Sequence, residues 1–176
     1  MAVLEIRTFG DPVLRQRAQP VERVTEMHDR LIADMIETMR VAPGVGLAAP
    51  QVGILERIFV WEVEEEHGAV IDPEIVWRSD SQESAEEGCL SIPGLFYPVM
   101  RAEAVEVRGL DAAGDAITMK AEGFLARVCQ HEIDHLDGVL FLDRLDEDVR
   151  REALRALREQ MLGLAPTPTG PPQETL

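Results

Sequence analysis

Cysteine is scarce in this chain. Only Cys89 and Cys129 occur among 176 residues, and aromatic residues make up 5%, with a single tyrosine. Two cysteines cannot staple a fold, so the chain must rely on a packed core, and its thiols are expected to be reduced. Lysine is scarcer still: Lys120 stands alone, the rest of the 17 basic residues being arginine, against 33 acidic residues and a net charge of −16. So acidic a chain lacks the broad positive surface that phosphate contacts require, which excludes a whole-surface nucleic-acid binder but not a local contact. The arginine bias reads as compositional, although the planar guanidinium also suits carboxylate and phosphate forks. No run approaches the ~20 apolar residues of a membrane span. The opening MAVLEIRTFGDP, with an acid at Glu5, lacks the plan of a signal peptide. A cytoplasmic location is therefore expected.

What is present is an ordinary globular composition, 45% hydrophobic and 28% charged, at a length suited to one domain. Asp11-Pro12 reads as a helix start. Leu31, Ile32, Met35, Ile36 and Met39 recur at helical spacing within 25–40, and Pro43-Gly44 ends that helix. The stretches 57–63 and 68–77 read as strands. The segments 102–110 and 116–121, joined by the turn sequence DAAGD, read as a hairpin. Helices are expected over 124–136, with Gly138 just past the end, and over about 146–162. In the last of these Val149, Ala153, Leu157 and Met161 form an apolar stripe. Residues 163–176 hold four prolines and read as a disordered tail. Without a βαβ rhythm, the layout favours an α+β domain: mostly antiparallel β-sheets packed around a central helix, followed by a C-terminal helix.

That central helix carries His131-Glu132-Ile133-Asp134-His135. Histidines four apart share one helix face and can converge on one metal ion, with Glu132 about 100° round the helix as a general base for water. The plain alternative is a solvated His-Glu-His surface. A third ligand is less obvious. His28 and His67 read as surface residues. Cys129 lies about 200° from His131 and should be a small buried hydrophobe. Cys89 remains, in EGCLSIPG, where Gly88 and Pro93-Gly94 mark a shaped segment rather than an ordinary strand, although core packing is the usual role of a cysteine. Upstream, GVGLAAPQVG has Ala49 where a Rossmann loop needs its third glycine and lacks the lysine of a Walker loop, so nucleotide binding is not expected. Its small residues, Gly46 among them, allow close backbone approach. Gln51 is its one polar side chain, able either to donate to an oxyanion or to satisfy the loop itself.

Taken together, GVGLAAPQ (44–51), EGCLSIP (87–93) and QHEIDH (130–135) resemble the three motifs of the peptide deformylases, in the same order, and the Cys-Leu-Ser-Ile-Pro form resembles the bacterial first type. The resemblance implies a catalytic domain over 1–162 and one divalent metal held by Cys89, His131 and His135, with water in the open position. The family's native metal is iron(II), with zinc, nickel or cobalt as substitutes. It implies that Glu132 acts as base and then acid while the Gln51 amide and the Leu90 N–H hold the oxyanion. The substrate would be the N-formylmethionine of nascent chains, and the product formate.

Val45, Gly46, Glu87, Phe124, Arg127 and Val128 are expected on the substrate side. Val45, Phe124 and Val128 would wall the methionine slot, and the Arg127 stem would line its mouth. Glu87 is also expected to pair with Arg101. The family further implies a monomer, and a C-terminal helix that can touch the ribosome, here through Arg151, Arg155 and Arg158. The acid excess lies in the body; residues 150–176 carry four arginines against three glutamates. Competing readings are a small HExxH zinc peptidase, which needs a third His or Glu that the sequence does not offer in a recognisable motif, and an inactive ribosome-associated relative.

Overall fold

The computed structural model describes residues 2–164 and 176. Helix α1 spans Glu26–Val41, and strands follow at Gly46–Ala48 (β1), Ile58–Val63 (β2), Glu66–Arg78 (β3), Gln82–Cys89 (β4), Ile92–Ala102 (β5), Ala104–Leu110 (β6) and Ala116–Glu122 (β7). Helices α2, Gly123–Leu136, and α3, Glu147–Met161, complete the domain. The expected α+β architecture is present. Strands β1-β2-β3-β6-β7 form an antiparallel five-stranded sheet, and β4 with β5 forms a separate hairpin.

Strand alternation decides what each face of the sheet covers. From β2, Ile58 and Val60 pack with Ile32, Met35 and Met39 of α1. Their neighbours Phe59 and Trp61 pack with Ala126, Val128, Cys129, Ile133 and Leu136 of α2. The other side of the molecule is a third cluster, where Cys89, Ile92 and Val99 of the hairpin meet Leu140, Phe141 and Ala153 and Leu157 of α3. Helix α2 therefore lies between the sheet and the hairpin, and every residue from Ala126 to Leu136 is buried. A helix buried on all sides normally reads as apolar all round. This one buries Arg127, Gln130, His131, Glu132, Asp134 and His135 as well, so each needs a partner.

Three local features hold this frame. Asp72 adopts φ 50° within β3, and the ladder to β6 is irregular between Ile71 and Glu74. That bulge accommodates Pro73, which cannot donate in a strand paired on both sides. The Asp72 carboxylate in turn accepts from the Val21 N–H at 2.9 Å, tying down the N-terminal segment. At the end of α2, the Leu136 carbonyl accepts from the Ala18 N–H at 2.9 Å and from Arg57 at 3.3 Å. Asp11 caps the 3-10 turn Pro12–Arg15 through the Val13 N–H.

The structure departs from the sequence expectations in three places. EGCLSIPG lies within a regular hairpin, β4 running to Cys89, with its irregularity confined to the register between Glu87 and Cys89. His28 is half-buried rather than solvated: its Nδ1 accepts from the Thr25 N–H at 2.9 Å, capping α1. In α3, Ala153 and Leu157 are buried but Met161 is 63% exposed. The tail expected over 163–176 falls mostly on 165–175, outside the described residues; Gly163 and Leu164 are exposed, whereas Leu176 is buried. Among the described residues no helix is long and apolar enough to cross a membrane.

Gly138 has φ +74°, and a Cβ there would stand 2.8 Å from the Arg15 carbonyl oxygen; Gly163 has φ +67° with nothing within 4 Å. Both substitutions to alanine incur the left-handed cost of about 1–2 kcal/mol. Gly138→Ala should lose about 1–3 kcal/mol more through overpacking. Equal losses in urea denaturation would reject the packing argument.

Candidate metal centre

The i, i+4 spacing on α2 brings His131 and His135 together with ring centroids 4.9 Å apart. The tight turn closing β4 delivers the third group: Cys89 Sγ lies 3.2 Å from His135 Nε2. One ligand atom from each of Cys89, His131 and His135 falls within 4.8 Å of the others, and all three residues are buried. Ligand edges of a tetrahedral site with ordinary metal–sulfur and metal–nitrogen bonds are about 3.3–3.6 Å, so the trio is close to a coordinating geometry. The ring of His131 stacks on Phe141, with centroids 6.3 Å apart.

Among the described side chains, the buried polar atoms without a partner are His131 Nε2, both Glu132 carboxylate oxygens and His135 Nδ1. Buried polar groups are nearly always satisfied, so four orphans on one helix beside a thiol fit a site for an ion and a polar reactant. The donor set, one sulfur and two imidazoles, suits a late divalent metal. Burial, reinforced by His131 and Arg101, holds His135 well below the usual imidazole range, leaving it neutral with a lone pair to offer. Burial, with the Glu132 carboxylate nearby, pushes the Cys89 thiol up to about 12. A bound divalent cation reverses that preference, since coordination deprotonates a thiol outright.

Glu132 and Glu87 are both fully buried and have opposite surroundings. Burial pushes the Glu132 carboxyl well up; Glu87 and Asp134 push the same way, and Arg101 opposes them. β1 backs directly onto it, since a Cβ on Gly46 would collide with Glu132 Oε1. For Glu87, burial also pushes upward, but hydrogen bonds from Arg101 and His131 outweigh it and hold the carboxyl well below the usual range. Arg101 forks Glu87 through Nε and Nη2 at 2.8 and 2.9 Å, and Arg127 Nη1 adds a contact at 2.8 Å. Glu87 Oε2 then meets His131 Nδ1 at 3.1 Å, which turns Nε2 toward the centre. Arg101 Nη1 continues to Asp134 at 2.6 Å, and Arg144 forks Asp134 at 2.6 and 3.1 Å.

The expected Glu87–Arg101 pair is thus present, but two substrate-side assignments are corrected. Glu87 has no exposed surface, because both its oxygens are committed to this network. Arg127 is 4% exposed and does not line a pocket mouth; its guanidinium turns toward the hairpin and donates to the Val99 and Glu83 carbonyls at 2.8 and 2.9 Å as well as to Glu87.

Gln51 is buried, with Oε1 accepting from the Ala48 N–H at 2.8 Å. That bond fixes the amide so that Nε2 faces Cys89 Sγ at 3.7 Å and Ser91 Oγ at 3.3 Å. Val45 and Val128 are buried in the cluster shared by α2 and the sheet. Phe124, 40% exposed, borders a separate cleft of about 610 Å³ with Trp61, Val63 and Leu125. His67 is exposed, and His28 is occupied in capping α1. Asp134, Arg144 and Ser91 carry no assignment from the sequence; the one available signal is a second acid inside a histidine motif on a helix otherwise suited to burial.

A family model described as polypeptide deformylase matches residues 3–151. A peptide deformylase of Acidothermus cellulolyticus is 50% identical over 159 residues, 90% of this chain and 88% of that one. The crystal structure of peptide deformylase from Thermus thermophilus superposes with a TM-score of 0.86 at 46% identity, covering 92% of this chain and 97% of that one. The Ehrlichia chaffeensis peptide deformylase, solved in complex with actinonin, gives a TM-score of 0.86 at 39% identity, with 91% and 98% coverage.

Arg101 joins two buried carboxylates, so its removal takes the forked partner from Glu87 and one of two arginine partners from Asp134. Arg101→Met should cost about 3–5 kcal/mol of stability, as expected for breaking a buried ion pair from one side. A loss below about 1 kcal/mol in urea denaturation would show that the network is not structural.

Proposed function

The chain belongs to the peptide deformylase family, metal-dependent hydrolases that remove N-formyl groups from nascent polypeptides, and on that premise we propose that Cys89, His131 and His135 hold its divalent ion while Glu132 moves the proton. The observation that carries this reading is the convergence of the unpartnered His131 Nε2 and Glu132 oxygens beside Cys89 Sγ and His135 Nε2. Held by these three residues, a divalent ion would supply Lewis acidity and make a nearby water easier to deprotonate. Glu132, kept free of ion-pair partners, accepts a proton from the attacking water as oxygen adds to the formyl carbon. Gln51 Nε2, fixed by Ala48, and the Leu90 N–H donate to the developing oxyanion; one such donor is typically worth about 3–4 kcal/mol. Glu132 returns the proton to the amine nitrogen as the C–N bond breaks, leaving formate and a free N-terminus.

The substrate reading is N-formylmethionine. Val45, Gly46 and Val128 would wall an apolar slot suited to a flexible thioether side chain, whereas Phe124 borders the separate cleft. The ligand chemistry accepts several late metals; we infer iron(II) as the native ion, with zinc, nickel or cobalt as substitutes. We further infer a cytoplasmic monomer that touches the ribosome transiently through α3. On that helix Arg151 pairs with Glu147 at 3.0 Å and Arg155 with Glu159 at 3.0 Å, so an external phosphate contact would compete with these exposed pairs and weaken with salt.

An anaerobic preparation should contain iron, release formate from a formyl-methionyl peptide, and lose activity in air as the metal or Cys89 oxidises. In the same assay Glu132→Gln should keep its metal and lose ~10²–10⁴-fold in kcat. Wild-type turnover in that variant would remove Glu132 from the reaction, and activity insensitive to air would argue against iron. For the ribosome contact, replacing Arg151, Arg155 and Arg158 with glutamate should reduce co-sedimentation at low salt without changing peptide hydrolysis. Unchanged co-sedimentation would dismiss that contact.

A further inference from the structure

The Leu90 N–H, assigned above to the oxyanion, already has an acceptor in this chain: the backbone oxygen of Leu176, at 3.1 Å. The Leu176 side chain is 2% exposed and joins the buried cluster that contains Val45, Val128 and Cys129. Its burial does not continue the packing of α3, because Leu164, just beyond that helix, is 73% exposed. Leu176 thus offers two features that a formyl-methionyl end would need, an oxygen on the Leu90 N–H and an unbranched-Cβ apolar side chain in the same buried cluster as the proposed slot walls. Leucine and methionine are close to volume-conserving substitutes in such surroundings.

We propose that Leu176 is an intrinsic competitor for the catalytic site, docked where the substrate's formyl-methionyl end docks, so that substrate binds only when Leu176 leaves. The proposal rests on the assignment of Leu90 and the slot given above. A site open for only a fraction of the time binds substrate with its affinity reduced by that fraction, whereas saturating substrate still displaces the competitor. The expected signature is therefore in KM and not in kcat. An aspartate cannot enter an apolar slot without an unpaired buried charge.

The test compares full-length wild type with Leu176→Asp and Leu176→Met, measuring formate release from a formyl-methionyl dipeptide and, without substrate, amide hydrogen exchange at Leu90. Leu176→Asp should lower KM by ~3–10-fold at unchanged kcat and speed exchange at Leu90. Leu176→Met should match wild type in both. An unchanged KM in Leu176→Asp overturns the proposal whatever the exchange shows, and a fall in both variants overturns the fit of the side chain to the slot. Absence of formate release from all three proteins would instead overturn the reading of the site, and the competitor role with it.

Discussion

Glu87 carries a full negative charge with no exposed surface, and the arrangement of the centre follows from how that charge is compensated. An isolated carboxylate in an apolar interior would be prohibitively costly, so its partners must be in place whenever the fold is. Arg101 comes from β5, Arg127 and His131 from α2, and Glu87 itself from β4. The pairing therefore locks the hairpin onto the helix in one relative position. Two residues along β4 from Glu87 lies Cys89, and four residues along α2 from Arg127 lies His131. The spacing between thiol and imidazole is set by an ion network that offers the centre no ligand of its own.

The same network explains why the neighbouring acid is so different. Arg101 satisfies Glu87 and Asp134 and has no nitrogen left for Glu132. Glu132 feels two nearby carboxylates that disfavour its charge, and the strand backing it is narrowed to glycine at 46. Two carboxylates within one small volume are thus driven apart in proton affinity, one pinned as a charged strut and the other left able to take and return a proton. Environments that separate acids in this way are a recurrent device for assigning acid–base roles.

Much of this is legible in residue order, and the rest is hidden for physical reasons. The helices are legible because their caps and apolar spacing are local, and the histidine pair because its geometry is internal to one helix. The β4–β5 hairpin is obscured because Gln82–Glu87 is polar and lacks clean alternation; its inward charges are satisfied by α2, an element about forty residues away. The burial of Arg127 is hidden for the same cause. A helical arginine is solvated by default, and it is acceptors distant in sequence, the Glu87 carboxylate and the carbonyls of Glu83 and Val99, that make its burial tolerable. Met161 is the opposite case, since periodicity assigns it to the apolar face and the structure leaves it 63% exposed.

The scarcity of lysine acquires a structural meaning at this centre. Arg101 uses three nitrogens on two carboxylates, forking one and reaching the other. Arg127 holds one carboxylate and two strand carbonyls, and Arg144 forks Asp134 from the surface. Each task needs a planar array of donors at fixed angles. A lysine offers a single point of charge, which burial readily neutralises. With a lysine at 101, one of the two carboxylates would lose a directed partner, and the His131 ring would lose the fixed acceptor that orients it. Whatever sets the arginine bias of the whole chain, at 101 and 127 the geometry admits no exchange.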